Sequence, residues 1–226
     1  MGKVDHLRNV PIFSDLTDLD LKRIASKMVS RDYEKGQMII LEESQGETFF
    51  IITNGAVKVT RLSDDGREVI LAILGESDFF GEMSLLDGEG RSANIVANES
   101  AQMLTLSRRD FLSCLESYPK IAIALLQELA IRLRKSDQQI ESLSLSDSEQ
   151  RIGITLIRLA EELGKIKHGH VSIKNLPYQQ DIANMAGTSR ETVSRTLKLL
   201  EEKLLVKRES RDLTIYNFDA FRQAFS

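Results

Sequence analysis

Tryptophan is absent from the 226 residues, proline occurs 3 times and cysteine once, at Cys114. One thiol excludes a disulfide framework and a cysteine-ligated iron–sulfur cluster, both of which need several cysteines. Scarce proline excludes a Pro-rich linker or low-complexity tail. No apolar run reaches the ~18 residues of a membrane span. The opening Met1-Gly2-Lys3-Val4-Asp5-His6 has neither an apolar signal region nor the Ser/Thr of a myristoylation site. A cytoplasmic chain with no membrane partner is expected. Histidine is scarce as well, and His168 and His170 flank Gly169 in a polar stretch. With no third ligand in view they read as a solvated loop, and no metal site is expected. Nucleophile–base pairs and a P-loop are also missing, so neither an enzyme nor a cofactor is expected.

The net charge of −4 at first argues against a nucleic-acid partner. Split by position, the picture changes. Residues 1–146 hold 17 Lys/Arg and 23 Asp/Glu, a balance of −6, whereas residues 147–226 hold 13 and 11, a balance of +2. Local placement of charge matters more than the total.

Ser14-Asp15-Leu16-Thr17 opens a helical stretch with Leu19, Ile24 and Met28 on one face and Thr17 with Asp20 as a capping box. From Tyr33 to Leu106 the texture is short β-rich runs: Met38–Leu41, Phe49–Ile52, Val57–Thr60, Val69–Ile73 and Ala93–Val96. Asn54-Gly55 and Asp65-Gly66 separate some of them and suit tight hairpins. This spacing predicts a small antiparallel barrel or roll.

Pro119 then begins a long helix. Ala122, Leu126, Leu129, Leu133, Ser136, Ile140 and Leu143 recur at alternating steps of four and three, the a/d seam of a coiled coil with one polar break at Ser136. Ile121, Ile123 and Leu125 are expected to pack on the chain's own roll. The second stripe calls for another partner, and a second copy of the same helix is the simplest, so a homodimer is expected. Ser142–Ser148 reads as a hinge, with Asp147 capping a helix that runs to Leu163. A short β segment follows at Val171–Ile173.

Residues 178–202 carry a helix-turn-helix pattern. Ile182 and Ala183 face inward on a first short helix, Gly187 supplies the turn, and Ser189 caps a second helix whose inner face is Val193, Leu197 and Leu200. The outer face presents Arg190, Glu191, Ser194, Arg195 and Lys198. Such a helix fits the DNA major groove, where arginine bonds guanine and glutamate accepts from cytosine. Gln180, Ser189 and Thr192 suit phosphate oxygens. Leu204–Lys207 and Leu213–Tyr216, split by a polar turn, read as a two-stranded wing.

A second constellation lies in the roll. Gly81-Glu82-Met83-Ser84-Leu85 precedes Asp87-Gly88-Glu89-Gly90 and Arg91-Ser92-Ala93. The glycine leads into a helical turn, Arg91 offers a planar cation for phosphate, Ser92 a hydroxyl, and Glu82 an acceptor for a ribose hydroxyl.

These two motifs carry a family resemblance. Gly81–Leu85 with Arg91–Ala93 resembles the phosphate cassette of cyclic-nucleotide-binding domains. Arg190-Glu191-Thr192-Val193-Ser194-Arg195 resembles the recognition helix of the cyclic AMP receptor protein/fumarate-nitrate regulator (CRP/FNR) family. The likeness spans nearly the whole chain. It implies an α+β molecule: a jelly-roll cyclic-nucleotide domain at 1–118, a dimerisation helix and hinge at 119–146, and a winged helix-turn-helix at 147–226. By that resemblance Glu82 holds a ribose 2′-OH, and Arg91, Ser92 and the amides near Met83 and Ser84 hold the cyclic phosphate, with Gly81 also in the ligand site.

The family's two adenine-contacting hydroxyls fall here on Ser136-Asp137. The carboxylate can accept from the adenine amino group, or from guanine N1–H and N2–H₂ together. Cyclic AMP is favoured over cyclic GMP by family weight. The resemblance further implies a palindromic operator with GTGA-like half-sites, TTGA-like steps remaining open, and contact with RNA polymerase. Two rivals come from other classes: a regulatory module of an enzyme, for which no catalytic constellation follows, and a constitutive DNA-binding factor with a vestigial pocket.

Overall fold

Alternation along one central strand organises the N-terminal half. The computed structural model describes residues 2–167 and 169–225, so the reading of His168 lies outside the described residues. The chain divides into two units, residues 1–61 with 71–135 and residues 62–70 with 136–226. The mixed α+β composition and antiparallel sheets expected from the sequence are present.

The first unit begins with helix α1 (Lys3–Asn9), a 3₁₀ turn at Pro11–Phe13 and α2 (Asp18–Lys27). Strands β1 (Val29–Tyr33), β2 (Met38–Ile40), β3 (Thr48–Asn54), β4 (Val57–Leu62), β5 (Glu68–Leu74) and β6 (Phe79–Phe80) follow. Helix α3 (Met83–Asp87) interrupts them before β7 (Asn94–Ala97) and β8 (Ala101–Ser107). Then come α4 (Arg108–Ser117) and α5 (Pro119–Leu145), whose last residues belong to the second unit. The strands form two four-stranded sheets, ordered β1-β8-β3-β6 and β2-β7-β4-β5.

Successive side chains of a strand point to opposite faces, and β3 uses both. Phe50 and Ile52 join Ile40, Val57, Phe80, Ile95 and Met103 in the core of the roll. Phe49 and Ile51 turn the other way, into a core with Leu21, Ile24, Phe111, Ile121 and Leu125 from the helices. The Phe49 ring stacks on Phe111 at 4.5 Å between centroids. A strand buried on both faces reads as a continuous apolar run, as Phe49–Ile52 does.

Helix α2 is capped by Thr17, whose hydroxyl accepts from the Asp20 amide. Its buried face is Leu21, Ile24, Ala25 and Met28, and Leu19 is 60% exposed. The expected face was thus correct at Ile24 and Met28 and wrong at Leu19, which lies two residues, about 200°, from the i, i+3, i+4, i+7 stripe. The same correction applies on α5. Ile121 and Leu125, one turn apart, are buried, while Ile123 between them is 58% exposed.

Leu126, Leu133, Ile140 and Leu143 are exposed along α5, but Leu129 packs in part against the first unit's core. Helix α5 also runs to Leu145, so the interruption is shorter than the Ser142–Ser148 hinge expected. Asp147 caps the next helix by accepting from the Gln150 amide.

The second unit continues with α6 (Ser148–Leu163), β9 (Gly164–Lys167), β10 (His170–Ile173), α7 (Gln179–Ala186), α8 (Arg190–Glu202), β11 (Val206–Glu209), β12 (Asp212–Ile215) and α9 (Phe218–Phe225). Its sheet runs β11-β12-β10-β9. Ile152, Leu156 and Leu159 of α6 are fully buried, as are Ile182, Val193 and Phe221. The wing strands start and end differently from the sequence reading: Leu204 is 76% exposed with φ 56°, and β11 opens at Val206.

Candidate ligand cradle and nucleic-acid interface

Gly81 ends β6 with φ 84°, and a Cβ there would lie 2.7 Å from Arg91 Nη1. The residue needs both the left-handed conformation and the missing side chain. That turn places Glu82 at the start of α3. Arg91 is 6% exposed and donates from Nη1 to the Gly81 carbonyl and from Nη2 to the Thr48 carbonyl, each at 2.8 Å. Its guanidinium is therefore fixed by the backbone of the roll. Burial pulls its pKa down from the usual arginine value, opposed by the charges of Glu82 and Glu47.

Glu82 and Ser84 are also buried, and Glu82 Oε2 and Ser84 Oγ have no hydrogen-bond partner. Leaving such atoms unsatisfied costs about 1–3 kcal/mol each, so a polar ligand that reaches them recovers what folding gave up. Burial pushes the Glu82 carboxyl up from its ordinary pKa, and Arg132 works against that. Met83 and Ser92 are exposed, and the Ser92 hydroxyl lies 3.7 Å from the Met83 sulfur. Gly81, Glu82, Ser84 and Arg91 are thus brought together, with Met83 and Ser92 beside them.

Arg132 on α5 was missed in the sequence. Its Nη1 donates to Glu82 Oε1 at 2.9 Å, its Nη2 to the Phe79 carbonyl at 2.8 Å, and it lies over the Phe79 ring at 4.4 Å. One signal was present: Arg132 stands one turn before Ser136, on the same face of the helix. Ser136 and Asp137 are both exposed on α5.

In the second unit, Gly187 ends α7 in the left-handed conformation, φ 59°, and Ser189 caps α8 by accepting from the Thr192 amide at 3.2 Å. Arg190, Glu191, Ser194, Arg195 and Lys198 are exposed and line one open cleft together with Gln179. Arg195 Nη2 lies 3.4 Å from Thr192 Oγ1. Hydrogen bonds to its own backbone and to Ser189 hold the Glu191 carboxyl below its ordinary pKa, so it is an acceptor at neutral pH. Gln180 bonds Asn184 at 2.9 Å along α7, and it is Gln179, unremarked in the sequence, that joins the cleft.

Arg151, also missed, ties α6 to the turn of the motif. It donates from Nε to the Ala186 carbonyl at 2.8 Å, from Nη2 to Gly187 at 3.1 Å and from Nη1 to Ser146 at 2.8 Å. The order strand roll, long helix, winged helix-turn-helix, with a buried arginine–carboxylate cradle in the roll, defines a class: DNA-binding regulators that carry a nucleotide-binding domain.

Comparison with known proteins narrows the class. Residues 30–118 match the model of the cyclic nucleotide-binding domain, and residues 150–224 match the Crp-like helix-turn-helix domain. The chain is 34% identical to the cyclic AMP receptor protein of Thermus thermophilus over 89% of its own length and 90% of that protein's. It therefore belongs to the CRP/FNR family of transcription regulators.

Solved structures share the fold. FixK2 from Bradyrhizobium japonicum superposes with a TM-score of 0.78 at 22% identity, covering 88% of this chain and 98% of that one. The c-di-GMP-responsive regulator CLP of Xanthomonas campestris superposes at 0.75, also at 22% identity, covering 89% of this chain and 100% of that one. Among the described residues no group of metal-ligating side chains is present, and no helix is long and apolar enough to cross a membrane.

Proposed function

We propose that this chain is a homodimeric, cyclic AMP-gated transcription regulator without catalytic activity, acting in the cytoplasm. The observation that carries the effector half is the pair of orphaned buried atoms, Glu82 Oε2 and Ser84 Oγ, next to the backbone-locked Arg91. A cyclic nucleotide supplies what they lack: a ribose hydroxyl to donate to Glu82 and a cyclic phosphate to accept from Ser84, Arg91 and Ser92. Arg132, engaging the other Glu82 oxygen, orients that carboxylate and works against the burial that favours its neutral form.

Ser136 and Asp137 are proposed to meet the base, and the bound ligand thereby to favour one geometry of the paired α5 helices. The reading helices of a competent dimer must lie about 34–36 Å apart, one turn of DNA. RNA polymerase is proposed as a partner on family grounds alone.

The identity of the base rests on Asp137. Asp137→Ser is expected to move the ratio of cyclic AMP to cyclic GMP affinity toward cyclic AMP, measured by calorimetric titration of each nucleotide. An unchanged ratio removes the residue from base selection. A second reading, a different nucleotide effector, has one specific support: the CLP protein of the same fold is c-di-GMP-responsive.

On the DNA side, Arg190, Glu191 and Arg195 are proposed to read GTGA-like half-sites, with Lys198, Thr192 and Ser189 near phosphates. Arg190→Ala is expected to cost about 1–3 kcal/mol on the preferred site and to relax one base position. Selection of preferred duplexes from a random pool with each protein checks this. An equal loss on specific and random DNA shows that Arg190 does not read a base.

A further inference from the structure

A cleft of about 300 Å³ opens between α2 and α4 of the first unit. Protein interiors leave few voids larger than a water molecule, and the reason for this one is local. Ser113, Cys114 and Ser117 of α4 line it, and their side chains are too short to fill the gap. Ile24 and Cys114, both buried in the core of the unit, form the floor. The volume lies at the small end of the range for ligand pockets.

The two walls differ in chemistry. Helix α2 contributes Arg23 and Lys27, four residues apart and so on one face. Helix α4 answers with Ser113 and Ser117 at the same spacing, and Tyr118, its C-terminal cap, adds a phenol. Among the described residues no carboxylate lines the cleft. Asp20 and Asp110 lie outside the lining, with Arg23 Nη1 3.8 Å from Asp20 and Lys27 Nζ 3.1 Å from Asp110. Asp110 is also engaged by the Ser107 hydroxyl at 2.7 Å. Ion pairs between exposed side chains contribute little, so both cations can turn to another acceptor. Burial pushes the Cys114 thiol above its ordinary pKa, against the charge of Lys27. The floor is therefore a neutral thiol, which leaves the cations to a ligand.

We propose that this cleft binds a short aliphatic dicarboxylate, one end on Arg23 and the other on Lys27, with the facing hydroxyls donating to the remaining oxygens. Cβ atoms one helical turn apart are separated by about 5–6 Å, a span that suits the two ends of such a diacid. The planar guanidinium can donate to both oxygens of one carboxylate, while the ammonium meets the other as a point charge. Tyr118 directly precedes Pro119, the first residue of α5, so an occupant touches the junction of α4 with α5.

The test is a calorimetric titration of the full-length protein with succinate and with glutarate, against acetate and inorganic phosphate at matched ionic strength. Saturable binding of a dicarboxylate is expected, with none by acetate. Arg23→Gln and Lys27→Gln should each weaken it at least about 10-fold. Both side chains are exposed, so the variants should keep the wild-type melting temperature. Binding should persist with cyclic AMP in excess, which separates this cleft from the nucleotide cradle.

Cys114 is the single cysteine of the chain, so its alkylation by N-ethylmaleimide reports on the floor of the cleft alone. Bound dicarboxylate should slow that reaction. Binding that is undiminished in both glutamine variants, or that cyclic AMP displaces, overturns the proposal. So does tighter binding of phosphate than of either diacid, or no dicarboxylate binding by folded wild type.

Discussion

Replacing Arg91 by alanine is expected to reduce cyclic nucleotide affinity by at least about 100-fold. A hydrogen bond to a charged group contributes about 1.5–3 kcal/mol, and the cyclic phosphate would accept more than one from this cradle. The substitution also has a structural cost, because Arg91 serves the Gly81 and Thr48 carbonyls from within the roll. Leaving those acceptors bare removes about 1–3 kcal/mol apiece. A lower melting temperature without ligand, by a few degrees per kcal/mol for a chain of this size, therefore accompanies the binding loss.

Arg91→Lys separates the two effects. It keeps the charge but loses the planar fork that reaches two carbonyls at once. Calorimetry on folded protein below the variants' melting temperatures is the measurement. Wild-type affinity in folded Arg91→Ala would place the nucleotide elsewhere.

The second large effect is expected at the exposed stripe of α5. Leu126, Leu133 and Ile140 are each more than 60% exposed, apolar area that a second copy of the helix would cover. Leu133→Lys places a charge in that seam. Because Leu133 contributes little to its own unit's core, the variant should keep the wild-type circular dichroism and melt. It should sediment as a monomer, and its affinity for a two-half-site operator should fall on the order of 100-fold or more as bivalent binding is lost. A folded Leu133→Lys protein that remains dimeric would move the interface off this stripe.

The parts legible in the sequence were those with a strict period or a strict local rule. Three heptads on α5, the Gly187 turn and the Ser189 cap are of this kind, as is the Gly81–Leu85 cassette. Strand β1 escaped because Val29-Ser30-Arg31-Asp32-Tyr33 is an edge strand, mostly exposed and without alternation, and its pairing with β8 is a tertiary fact. Strand β6 is two residues long, too short to show a period.

The arginines of the site show the same division. Arg91 stood inside a motif and was found, whereas Arg132 and Arg151 act across 50 and 35 positions of sequence. Nothing adjacent to Arg151 distinguishes it from a solvated surface cation, and Arg132 has only its place one turn before Ser136. Leu19 and Ile123 were misplaced for a simpler reason. An apolar residue near a buried stripe reads as part of it until the helical angle is counted.

The central claim is that nucleotide and DNA act on one equilibrium. Linkage requires that each ligand change the other's affinity by the same factor. The most direct test is a calorimetric titration of cyclic AMP into the full-length protein, alone and saturated with a duplex that the protein itself has selected from a random pool. A gated regulator should bind cyclic AMP about 5–150-fold more tightly on DNA. Equal affinities, or no binding of cyclic AMP in either state, would contradict the account.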